Sequence, residues 1–154
     1  MTERCRLLVD VREDANLRGF HVLASLYLIA ERLRSVELYR LGGDAPNERI
    51  ACRAFSFDTG LEFRRIRRLI WVNSKFDLYL SAANDFPEDA ASIAACQTSR
   101  RTIVALMFGR HEEPPATNGI IVNGHDTAHI AQKVKEELRL SAPTESAWAR
   151  GPIA

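Results

Sequence analysis

The feature that most constrains the fold is an uninterrupted apolar run late in the chain. The segment Thr102–Phe108 carries no charge and lies between Arg101 and Gly109. It lacks the apolar–polar alternation of a strand with one solvent-exposed face, and it is short for a helix buried on all sides. The run therefore predicts an interior strand that is covered on both faces. Such strands are typical of α/β proteins, whose sheets carry helices on both sides.

Five further segments have the apolar or alternating patterns of strands. They are Arg6–Val11, Val36–Leu41, Arg49–Phe57, Lys75–Leu80 and Gly119–Val122. The third of them follows a loop rich in glycine, proline and asparagine, so we expect it to return antiparallel to the second strand as a hairpin.

Four segments show the three- and four-residue apolar spacing of amphipathic helices. They run from Asp14 to Arg34, from Asp58 to Ile70, from Pro87 to Thr98 and from Asp126 to Leu140. Together the patterns predict a single α/β domain over residues 1–140, with a mixed sheet flanked by helices, and a C-terminal tail over residues 141–154. The predicted order is β-α-β-β-α-β-α-β-β-α. It fits a ferredoxin-like first half, and it also fits a doubly wound sheet with one antiparallel excursion.

Composition narrows the class of partner and the compartment. The formal net charge is +1, a balance that disfavours a dedicated nucleic-acid or anionic-membrane binder. The three cysteines lie far apart and form no C-x-x-C pair, which indicates reduced thiols in a cytoplasmic protein. The longest apolar run, Val22–Ala30, is about half of the ~20 residues that a bilayer requires. We therefore expect no membrane association.

Polar residues follow several predicted strands, where the carboxyl ends of parallel strands would bring them to one edge of the sheet. The residues at these positions include Asp10, Arg12, Asp14, Asn84, Asp85, Arg110, His111, Asn123, Gly124, His125 and Asp126. Ligands of open α/β sheets bind at that edge. Candidates for acid–base or metal-assisted chemistry are His125, His111, Asp10 and Asp126. Helix capping is the competing explanation for Asp14, Asp85 and Asp126.

Two other features indicate anion binding. Gly124 opens a strand-to-helix turn, where backbone N–H groups and the helix N-terminus favour a negative ligand. The segment 64–68 holds the densest positive charge, and we expect Arg64, Arg65, Arg67 and Arg68 to share the exposed face of a helix, with Arg110 as an addition. The planar guanidinium group of arginine presents paired N–H donors that match the geometry of phosphates and carboxylates. His125 and His129 are four residues apart, but no third ligand is placed beside them, and we predict no metal site. No cofactor is indicated.

These observations favour a non-catalytic binding, regulatory or assembly module. It would recognise an anionic small molecule or an acidic protein surface and form homo-oligomers. One alternative is a small phosphoester or nucleotide hydrolase, with metal-assisted or acid–base chemistry. The other is a nucleic-acid-binding subunit of a larger complex, which the charge balance does not favour. The predicted edge site requires Thr102–Phe108 to lie beside Leu7–Val11 and to point in the same direction.

Overall fold

The structure is a computed structural model that describes residues 4–12, 18–66, 75–83, 90–106 and 119–140. These ranges contain six strands and four α-helices. The strands are β1 (Cys5–Asp10), β2 (Val36–Leu41), β3 (Phe63–Arg65), β4 (Phe76–Ala83), β5 (Ser99–Leu106) and β6 (Gly119–Asn123). The α-helices are α1 (Arg18–Leu28), α2 (Pro46–Thr59), α3 (Ala90–Gln97) and α4 (Thr127–Glu137), and a 3-10 helix (Ala30–Ser35) follows α1.

All six strands form one parallel sheet, in the order β3-β2-β1-β4-β5-β6. From β1 the chain moves outward in one direction through β2 and β3, and from β4 it moves outward in the other. The reversal lies between β1 and β4, whose register pairs Leu8 with Tyr79. This is the order of a doubly wound α/β sheet. The α/β class is confirmed, whereas the ferredoxin-like half and the antiparallel excursion are wrong.

The predicted hairpin strand Arg49–Phe57 is wrong because the segment belongs to α2. Pro46 stands at the start of the helix, where its missing N–H costs nothing and its fixed φ is already helical. At the other end Gly60 adopts a left-handed φ of 77° and donates its N–H to the Ser56 carbonyl. That conformation favours glycine and stops the helix.

The predicted arginine helix is also wrong where the structure describes it. Phe63–Arg65 is the edge strand β3, paired with β2 so that Arg64 lies opposite Tyr39. Because side chains alternate along a strand, Arg64 and Arg65 leave opposite faces of the sheet. Arg67 and Arg68 lie outside the described residues.

Helices cover both faces of the sheet. One core cluster joins Leu7 and Val9 of β1 to side chains of α1, α2 and α4, and a second joins Leu8 and Tyr79 to Ala95 of α3. Phe76, Leu78 and Leu80 alternate in the sequence with Asp77 and Tyr79, which predicts that Tyr79 points outward, but Tyr79 is fully buried under α3. The prediction failed because both faces of a doubly wound sheet are covered. Among the described helices, none has the length and apolar character of a membrane span.

The two strands on which the edge site depends are parallel, but they are not neighbours. The predicted interior strand is β5, and β4 lies between it and β1. The polar segment that shares the reversal with β1 is therefore the one after β4. The tail over residues 141–154, including Trp148, lies outside the described residues.

Candidate functional site

The candidate site is the carboxyl edge of the sheet where the strand order reverses, between the ends of β1 and β4. The chain leaves β1 towards α1 on one face of the sheet and leaves β4 towards α3 on the other. In doubly wound sheets the chain exits diverge at such a reversal, and ligands bind in the crevice between them. The connecting residues 13–17 and 84–89, with Asp14, Asn84 and Asp85, lie outside the described part of the chain.

A buried polar network lies at this reversal around Asp10, whose residue surface is only 2% exposed. Arg12 grips this carboxylate with two donors, from Nε to Oδ1 at 2.9 Å and from Nη2 to Oδ2 at 2.7 Å. The Tyr79 hydroxyl donates to Oδ2 at 2.9 Å. Nη2 of Arg12 also donates to the Ser92 Oγ at 2.7 Å. The network therefore ties the end of β1 to β4 and to the first turn of α3.

The protonation state of Tyr79 fixes the direction of its hydrogen bond. Burial raises the pKa of the phenol most strongly, and the neighbouring Asp10 charge raises it further, against smaller lowering contributions from the hydroxyls of Ser81 and Ser92. The phenol stays protonated at neutral pH, so it donates and the carboxylate accepts. Both oxygens of Asp10 are thus engaged in holding Arg12 and Tyr79, which makes Asp10 a positioning residue.

A pair of glycines directly after β2 packs against Arg12. Gly42 and Gly43 have φ values of 95° and 93°, a region that favours glycine. A Cβ on Gly42 would lie 3.0 Å from the backbone nitrogen of Arg12. One on Gly43 would overlap the Arg40 guanidinium, which donates to the Gly42 carbonyl. The loop of Gly42 and Gly43 therefore packs between Arg12 and Arg40.

The β6–α4 turn holds three of the predicted site residues. Asp126 caps α4 by accepting from the His129 N–H at 2.9 Å, as capping alone predicts. The backbone N–H of His125 donates to Asn123 Oδ1 at 2.9 Å, and Gly124 is buried in the turn. The His125 ring meets the His21 ring of α1 edge-on, with centroids 5.6 Å apart. Asp126 is therefore occupied as a helix cap.

The remaining predicted residues divide into two groups. Arg64 pairs with Glu37 at 3.7 Å and lies over the Tyr39 ring, while Arg65 reaches Asp44 at 3.3 Å on the opposite face. Arg110 and His111, like Arg67 and Arg68, lie outside the described residues. Within the described ranges, no group of three or more histidine, cysteine, aspartate or glutamate side chains is arranged to hold a metal ion.

Sequence reasoning missed Tyr79 and Ser92 as members of the site. Asp10 and Arg12 follow a predicted strand and are visible from the sequence. Their partners come from a strand and a helix that lie 69 and 80 residues away along the chain. Only the adjacency of β1 and β4 brings these residues together.

A concave surface lies between α2 and the β2–β3 edge, with a volume of about 480 Å³. We call it the arginine groove, after the four arginines that line it: Arg40, Arg49, Arg53 and Arg65. Only Arg65 among them belongs to the predicted basic cluster. The other three were not predicted, because their convergence depends on α2 being a helix.

No known family model matches this sequence, and no curated protein matches it at a significant level.

Proposed function

We propose that this domain binds a phosphate-bearing small molecule of the nucleoside diphosphate class in the crevice between β1 and β4. The observation that carries the proposal is an arginine, Arg12, anchored by a buried carboxylate at the point where the parallel strand order reverses. This refines the sequence-based hypothesis of an anion-binding module and moves the binding site to the end of β1.

The chemistry of the crevice favours an anion. Arg12 keeps 24% of its side-chain surface exposed although Asp10 and Ser92 hold it in place. A guanidinium that is already ordered loses little conformational freedom on binding, and its planar fork matches phosphate geometry. The amino ends of α1 and α3 follow β1 and β4, so both helix dipoles add positive potential at the same edge.

The architecture favours a nucleotide, and the sequence after β1 favours a diphosphate bound by charge. Doubly wound sheets bind nucleotides at this reversal point. In dinucleotide-binding sheets a G-x-G-x-x-G turn lets backbone N–H groups approach the pyrophosphate. Residues 11–19 contain a single glycine, Gly19, so that turn is absent from this sequence. Arg12 would supply the positive charge in its place.

The described carboxylates favour binding over hydrolysis. Asp10 spends both oxygens on Arg12 and Tyr79, and Asp126 accepts the first-turn N–H of His129. A general base or a metal ligand needs an oxygen that can be given to water or to a cation. Both oxygens of Asp10 are engaged in this way, and Asp126 uses Oδ1 to cap α4.

Replacing Arg12 with alanine tests the proposal. Loss of one charge-assisted contact, worth about 1.5–3 kcal/mol, should raise the Kd for uridine or adenosine diphosphate roughly 10- to 100-fold. Isothermal titration calorimetry measures the change. Arg34→Ala is the matched control, because Arg34 is an exposed arginine of the 3-10 helix, paired only loosely with Glu31 at 3.3 Å. Equal affinities for the wild type and Arg12→Ala, or no diphosphate binding by the wild type, would refute the proposal.

A further inference from the structure

The arginine groove brings four guanidinium groups together from three elements of the fold. Arg40 comes from β2, Arg49 and Arg53 from α2, and Arg65 from β3. The helix forms one wall and the two strands form the other. A ligand in the groove would therefore meet positive charge from two sides.

The charges that line the groove are not balanced. Four guanidinium groups share it with two carboxylates, those of Asp44 and Glu62. Asp44 lies 3.8 Å from Arg40 and 3.3 Å from Arg65, so it partly neutralises the strand wall. On the helix wall, neither Arg49 nor Arg53 forms an ion pair with any described residue. The excess positive charge therefore lies on α2.

Without a ligand, the spacing of the arginines on α2 makes the excess positive charge there unfavourable. Arg49 and Arg53 are four residues apart, so they are neighbours on one face of the helix and repel each other. A phosphate between them would replace the repulsion with two charge-assisted hydrogen bonds. The start of α2 borders the same groove through Gly43 and Asp44, which adds the positive end of the helix dipole.

We infer that the arginine groove is a second anion site and that it takes a compact oligophosphate. Guanidinium groups on both walls require a ligand with at least two anionic groups, and a concave space of about 480 Å³ suits a small molecule. The inference is independent of the proposed function, because Arg12 does not line this groove.

Cys52 provides a direct report on occupancy, because its half-buried thiol lines the groove. Burial raises the pKa of this thiol, so alkylation is best measured at mildly alkaline pH. Inorganic tripolyphosphate in the groove should slow the reaction of Cys52 with iodoacetamide at least fivefold, by blocking access. Cys5 on β1 and Cys96 on α3 lie outside the groove and serve as internal controls whose rates stay unchanged.

The variant Arg49→Ala/Arg53→Ala connects protection to the helix wall. Both arginines are exposed on α2 and alanine is the better helix former, so the fold should remain intact. We expect the tripolyphosphate concentration that gives half-protection to rise at least tenfold. Lys135→Ala on α4 removes one positive charge elsewhere and should change nothing, and Arg12→Ala should leave the protection intact.

Three outcomes would overturn the inference. The first is no protection of Cys52 by tripolyphosphate in the wild type. The second is equal protection in the wild type and in Arg49→Ala/Arg53→Ala. The third is stronger protection by an acidic peptide than by tripolyphosphate, which would identify the groove as a protein contact.

Discussion

Replacing Asp10 with alanine is expected to lower the free energy of unfolding by about 3 kcal/mol, because it removes the acceptor at the centre of a buried network. The Tyr79 hydroxyl, which has no access to solvent, would keep the Ser92 Oγ as a distant neighbour at 3.5 Å. The Arg12 guanidinium would lose both of its hydrogen bonds to the carboxylate. Urea unfolding, followed by circular dichroism, measures the loss.

The matched control is Asp58→Ala, which removes the same kind of tyrosine–aspartate hydrogen bond at an exposed position. The Tyr27 hydroxyl donates to Asp58 at 3.0 Å, but both residues are exposed and water can replace the acceptor. This variant should change the free energy of unfolding by no more than about 0.5 kcal/mol. A loss at Asp10 as small as at Asp58 would contradict the buried network.

The second large effect is expected at Phe55, which α2 inserts into the core. Phe55 is fully buried, and its ring lies 5.0 Å from that of Tyr27 and 5.2 Å from that of Phe63, centroid to centroid. Phe55→Ala should lower the free energy of unfolding by about 4 kcal/mol through lost burial and a residual cavity. Guanidinium unfolding measures it.

Phe57 is the control that separates a helix from a strand in this segment. It lies two residues further on and is 90% exposed, so Phe57→Ala should change the free energy of unfolding by no more than about 0.5 kcal/mol. In a strand the two rings would share one face, whereas in a helix they lie about 200° apart. Comparable large losses at both positions would contradict the assignment of α2.

Most of the strands were predictable because the apolar or alternating pattern that indicates each of them lies within the strand itself. For β1 and β2, both predicted ends lie within one residue of the structural bounds. For β5, the predicted end lies within two residues of the structural one, and the predicted start lies three residues further along the chain. For Asp126, helix capping, the competing explanation to a chemical role, is confirmed. In each case the deciding signal lies within a few residues of the element.

The failure at α2 has a physical cause. Ile50, Cys52 and Ala54 are spaced two residues apart, as on one face of a strand, but residues of a helix can show the same spacing over such a short segment. The better signal was the pairing of Pro46 with Gly60, since proline favours the first turn of a helix and glycine favours the position just past its end. Once α2 is a helix, the two flanking strands can run parallel, and the antiparallel excursion disappears.

The site was predictable only in part because its members come from distant segments. The carboxyl edge and its residues Asp10 and Arg12 followed from the strand pattern. Their partners depend on β1 lying beside β4, which no single sequence reveals. The same dependence hid the arginine groove, whose walls come from α2, β2 and β3.

The most direct test of the crevice as a nucleotide site is a backbone amide chemical-shift map, recorded by NMR during titration with uridine diphosphate. The largest changes should lie at the end of β1 and in the first turn of α3, at Val11, Arg12 and Ser92. The amides of Arg49 and Arg53, which line the separate arginine groove, should shift less than these and along a separate binding curve. A map centred on α2, or one with Arg12 and Ser92 unmoved, would contradict the account.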